Sequence, residues 1–124
     1  MNDPEVTMSN ALTNTNLVAY EKALEAAGVA IKLAMRVPAP LKSIADQAIR
    51  SASSVPANIA EGHGRSGRDR LHFWRIAYAS AKEVDSHLRL LAHAGAVNEL
   101  KTEKVLSTFD EVRAMTWRLL NPRT

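Results

Sequence analysis

Four histidines, His63, His72, His87 and His93, are the side chains with which a helical chain of this composition would begin to hold a metal. A carboxylate-bridged di-iron bundle draws one Glu from each of two helices and a Glu-x-x-His pair from each of the other two. No Glu-x-x-His occurs here. The nearest approach is Glu83 with His87, four residues apart, a spacing that ordinary surface pairs on a helix also use. No metal and no cofactor is expected. The chain has no cysteine, which removes thiolate sites, thiol nucleophiles and disulfides. Ser51, Ser53 and Ser54 lack a Gly-x-Ser-x-Gly or Ser-x-x-Lys context and read as small residues that permit close helix packing. Gly62-His63-Gly64-Arg65-Ser66-Gly67 is rich in glycine, but it follows helical sequence rather than a strand and lacks the Lys-Ser/Thr ending of a phosphate-binding loop. No catalytic residue is assigned, and an enzyme is not expected.

Polar residues at helical spacing are more informative. Asn58 and Glu61 lie on one helical segment, Ser80 and Glu83 on the next, and a buried carboxylate needs a partner such as Arg65. The four read as a structural polar network that sets helix register; as a pair of catalytic carboxylates, Glu61 and Glu83 lack any second catalytic group. Basic residues crowd nearby. Arg65, Arg68, Arg70 and Arg75 fall in a loop and at a helix start, with Asp69 as the one anion among them. Cations at a helix N-terminus oppose its dipole, so the stability of that helix does not explain them, whereas the guanidinium fork suits phosphate. These four are the candidate nucleic-acid contacts. His72, Phe73 and Trp74 in the same stretch offer either stacking surfaces or core.

The elements that must position these groups are helices. Leu17, Tyr20, Leu24, Ala27, Ile31 and Ala34 recur at spacings of three and four and predict a helix over about 16–36, with Asn14, Thr15 and Asn16 as N-cap candidates and a polar segment over 1–15 before it. Val37-Pro38-Ala39-Pro40 stops it. A second helix runs from near Leu41 to Glu61, kinked at Pro56 because the apolar period passes through the proline in phase; the alternative is two helices broken at Ser53-Ser54. The third, about 68–94, carries the seam Trp74, Ala77, Ala81, Val84, Leu88 and Leu91, and beside it a second apolar edge of Phe73, Ile76 and Leu90. That edge is either a wide stripe within one chain or an oligomer interface. The fourth, Glu99 to Leu120, presents Val105, Phe109, Val112, Thr116 and Leu119. The fold class is therefore all-α, an antiparallel up-down four-helix bundle forming a single domain over 1–124.

Composition agrees. With 124 residues, 46% of them hydrophobic, the chain can bury one core without staples. Its net charge of +3 is a mild basic bias rather than that of a dedicated nucleic-acid binder. No apolar run approaches the ~20 residues that span a bilayer, so a cytoplasmic protein with no membrane partner is expected.

Ser54-Val55-Pro56-Ala57-Asn58-Ile59-Ala60-Glu61-Gly62-His63-Gly64-Arg65, followed by Phe73, Ile76, Ala77, Ser80 and Glu83, resembles the four-helix-bundle family encoded in intervening sequences of bacterial large-subunit ribosomal RNA genes. The resemblance covers about residues 17–120. It departs from the family at Ala79, where glycine is usual, and in a shorter connection around Val37-Pro38. It implies a homopentamer with no known enzymatic activity, similar in architecture to the basic accessory protein of diversity-generating retroelements, which associates with a reverse transcriptase and nucleic acid. A ring of five would repeat the arginine cluster five times and multiply weak phosphate contacts into avidity. The functional expectation is a non-enzymatic homo-oligomer that binds RNA or DNA phosphates. The alternative is an oligomeric scaffold for a protein partner.

Overall fold

The computed structural model describes the backbone of residues 4–122 and the side chains of residues 16–122. Four helices follow one another: α1 (Pro4–Met35), α2 (Lys42–His63), α3 (Gly67–His93) and α4 (Glu99–Leu120), with a 3-10 turn at Ala39–Leu41 between the first two. No strand occurs among the described residues. Each helix packs on its neighbours in chain order, and α4 returns to α1, so the all-α four-helix bundle expected from the apolar periods is the fold.

The seam predicted on α3 is buried throughout, as is the α4 stripe from Val105 to Leu119. Trp74, Phe109, Ile59 and Leu88 form the centre of the core. Thr102 and Thr116 enter it because their hydroxyls donate back to the carbonyls of Asn98 and Val112, both at 2.7 Å. α2 continues through Pro56 without interruption, which rules out a break at Ser53-Ser54. Gly95, at φ +73°, closes α3: its N–H reaches the Ala92 carbonyl at 3.0 Å and that of Ala96 reaches Leu91 at 2.9 Å.

α1 departs from expectation twice. It begins at Pro4 rather than near residue 16, so Asn14, Thr15 and Asn16 lie inside the helix instead of capping it; of the 1–15 segment, residues 1–3 lie outside the described residues. Its buried face is also rotated. Ala19, Ala23, Ala26, Ala27, Ala30, Leu33 and Ala34 face inward, so Ala27 and Ala34 of the predicted stripe are buried, while its Leu17 and Leu24 are 48% and 47% exposed and its Tyr20 and Ile31 are half-buried. Alanine lets neighbouring backbones approach closely, and close approach outweighs the greater area of the leucines in choosing which face turns inward.

Candidate nucleic-acid interface

The α2–α3 corner is built around a glycine. A methyl group on Gly62 would lie 2.4 Å from the Trp74 indole, so only glycine allows the ring to lie against α2. The indole N–H donates to the Ile59 carbonyl at 3.2 Å. Arg70 reaches the same helix end, its Nε donating to the Gly62 carbonyl at 3.1 Å and its Nη2 to that of His63 at 3.2 Å. These are the last carbonyls of α2, where a cation is favourable. The arginine misplaced for α3 is therefore well placed for the helix before it, an explanation that the α3 dipole alone does not offer. Its guanidinium also lies 5.5 Å from the centre of the Trp74 ring.

The four predicted arginines thus occupy different settings. Arg65 lies 3.7 Å from the Glu61 carboxylate and 5.1 Å from the centre of the Phe73 ring. Arg70 caps α2. Arg68 and Arg75 are exposed and form no salt bridge among the described residues. They are seven residues apart on α3, and a further seven on stands Lys82, also exposed and without a salt bridge there. Residues at that spacing share a helix face and repeat about every 10.5 Å along the axis. The result is a cationic ridge, Arg68–Arg75–Lys82, on the outside of α3. Sequence reasoning missed Lys82 because it sought a cluster; the seven-residue spacing from Arg68 was the available signal.

Of the stacking candidates, Trp74 is core, Phe73 is half-buried beneath Arg65, and His72 is exposed with its ring 5.3 Å from Phe73. The tryptophan that does face solvent is Trp117 on α4, 53% exposed, its ring 6.0 Å from that of Tyr78.

The predicted polar network divides. Ser54, between α2 and α3, accepts from the Asn58 amide and from the Ser80 hydroxyl, each at 2.9 Å, so Asn58 and Ser80 do meet through it. Glu61 and Glu83 do not join them: Glu61 faces Arg65, and Glu83 lies 3.5 Å from His87 one turn along its own helix. A second ionic group appears where none was expected. Buried Asp85 accepts from Arg89 at 2.6 Å and lies 3.8 Å from Arg113 of α4, which also binds Asp110. The hydrogen bond and charge of Asp85 raise the pKa of the Arg89 guanidinium above its ordinary value. The Glu111 carboxylate does the same for Lys22, at 2.9 Å across α1 and α4.

Of the predicted oligomer edge, Phe73 and Ile76 are half-buried and Leu90 is 53% exposed. More exposed apolar surface lies on α1, where Leu17, Leu24 and Met35 face outward. Leu24 lines an apolar groove of about 430 Å³ with Tyr20, Gly28 and Ile31 of α1 and Pro56 and Ala60 of α2.

The described residues thus form an all-α four-helix bundle with a cationic outer ridge on α3 and an apolar outer flank on α1. The profile of the 23S rRNA-intervening sequence protein family matches residues 15–118, and the chain belongs to that family. The crystal structure of a protein of unknown function from the S23 ribosomal protein family of Bacteroides thetaiotaomicron VPI-5482 is similar in fold, with a TM-score of 0.77 and 24% identity over 86% of this chain and 97% of that one. No curated protein matches the chain. Among the described residues no helix is long and apolar enough to cross a membrane.

Proposed function

We propose that this protein is a non-enzymatic homo-oligomer that binds the phosphates of RNA or DNA. The observation that carries the reading is the ridge of Arg68, Arg75 and Lys82, three exposed cations in register on one helix with no carboxylate partner among the described residues. Arg65 stands at its near end, partly neutralised by Glu61, and Arg70 contributes charge while its fork holds α2. The separation of Glu61 and Glu83 onto different partners weighs against acid–base catalysis. Self-association is supported by the apolar outer face of α1, and the family resemblance implies a ring of five. The same face also suits a protein partner, and it is the one observation that favours the scaffold reading.

The test is binding of a fluorescein-labelled 20-base-pair RNA duplex and of its single strands across a salt series, with the absolute mass followed by light scattering. Affinity for both should fall steeply with salt. Arg68→Glu with Arg75→Glu should flatten that dependence by about 0.7–0.9 in log–log slope for each phosphate that the protein no longer neutralises. A mass near five times 13.6 kDa is expected without RNA. Salt-independent or undetectable binding would leave the protein scaffold as the reading.

A further inference from the structure

Tyr78 and Trp117 sit beside the ridge and outside the core, unlike the buried Trp74 and Phe109. Trp117 is 53% exposed at the last turns of α4, and Tyr78 of α3 is half-buried against it, ring centres 6.0 Å apart and planes inclined by 47°. Lys82 places its ammonium 5.8 Å from the centre of the Tyr78 ring. Arg75 lies one turn before Tyr78 on the same helix, and Arg118 follows Trp117; both are exposed. Of the carboxylates on neighbouring turns, Asp85 faces Arg89 and Arg113, Asp110 faces Arg113, Glu111 faces Lys22, and Glu83 lies 3.5 Å from His87. A half-exposed indole is thus offered to solvent beside Arg75, Lys82 and Arg118, none of which forms a salt bridge among the described residues.

We infer that the Tyr78–Trp117 pair is a stacking platform for an unpaired nucleobase, with Arg75, Lys82 and Arg118 holding the flanking phosphates. This rests on the phosphate-binding reading and narrows it, because a base can reach an indole face only when it is not stacked in a duplex. The chemistry is that of single-strand binders, in which aromatic faces accept bases of any identity and cations track the backbone. A protein partner is the weaker occupant. Two rings rimmed by three cations make a small, charged patch, whereas the apolar surface that could seat a protein lies on α1.

The chain's two tryptophans make the test direct, since Trp74 is buried and Trp117 exposed. A twelve-nucleotide oligoadenylate, as RNA and as DNA, is added to the intact protein while tryptophan emission and anisotropy of a labelled copy are read; a duplex of equal length is the comparison. Stacking should quench the solvent-exposed emission with the single strand and not with the duplex. Trp117→Ala should abolish the quench and weaken single-strand binding about tenfold, with duplex binding unchanged. Trp117→Phe should retain most of that affinity. Circular dichroism melting of each variant confirms folding, and Tyr78→Phe, which keeps the ring, guards against a failure of Trp117→Ala to fold. Salt-dependent binding that prefers neither form and ignores Trp117→Ala would overturn the platform and leave the ridge standing. Loss of oligomeric mass in Trp117→Ala without any change in nucleic-acid binding would make the pair an interface between copies. If Arg68→Glu with Arg75→Glu leaves all binding intact, the ridge and the phosphate role of Arg75 both fail, and the stacking of a base on Trp117 is judged by the quench alone; no binding by the unaltered protein sinks both.

Discussion

Between α2 and α3 the packing is made by few groups, each oriented: a glycine under an indole, an arginine on the last carbonyls of a helix, a serine bridging an amide and a hydroxyl. On α1 it is made by a row of alanines with Leu33, while Leu17, Leu24 and Met35 point the other way. The first surface specifies one partner in one register, because each group fits a single counterpart. The second is smooth on its inner side and adhesive on its outer side. For the self-association proposed above, the outward Leu17 and Leu24 make α1 a better candidate interface than α3, whose Phe73 and Ile76 are half-buried.

The sharpest way to break this contrast is to place the same methyl group on both surfaces. Gly62→Ala drives a Cβ into the Trp74 indole and should lower the unfolding free energy in urea by about 3 kcal/mol. Gly28→Ala, on α1, meets nothing within 4 Å in the protomer and should raise it by about 0.5–1 kcal/mol through helix propensity. Equal responses at the two sites would erase the distinction. Trp74→Phe keeps an aromatic ring in the core and loses the bond to Ile59, and should cost about 1 kcal/mol by the same assay. The outer face of α1 should behave in the opposite sense. Leu17→Gln with Leu24→Gln should leave the helical circular dichroism signal intact while lowering the mass seen by light scattering, and an unchanged mass would return the interface to Leu90 and its neighbours.

The smallest effect is electrostatic. Lys22 joins α1 to α4 through Glu111, and that bond raises its pKa above 10.5. A raised folded-state value means that the contribution is complete below the ordinary lysine pKa and fades as pH climbs through the raised one. Thermal melts should therefore show a slight loss above about pH 10.5 that Glu111→Gln lacks.

Much of this protein was legible in its residues. On α3 and α4 the large apolar residues repeat at three and four with charges between them, and the structure buries the predicted positions. The same rule held only in part on α1, where Ala27 and Ala34 are buried but Leu17 and Leu24 are not, since periodicity finds a face but not the neighbour that must fit it. The arginines were found as a group, but their roles differ by geometry. Arg70 is a helix cap because the three-residue turn Gly64–Ser66 folds it back onto α2, a fact that lies in the turn and not in the residue type. Asp85 with Arg113, and Tyr78 with Trp117, join residues 28 and 39 positions apart, and no local pattern announces such pairs.

The bundle follows from the chain's own pattern: four apolar periods with glycine and proline between them leave few other ways to bury that surface. The chain also carried the S-V-P-A-N-I-A-E-G stretch, whose glycine proves to be required where the Trp74 ring lies on α2. Which face of α1 turns inward, which arginines stand clear of carboxylates, and that Lys82 and Trp117 share a surface with Arg75 emerge only once the helices pack. Those outcomes depend on the rotation of each helix against its neighbours, and rotation is chosen by the packing of all four together.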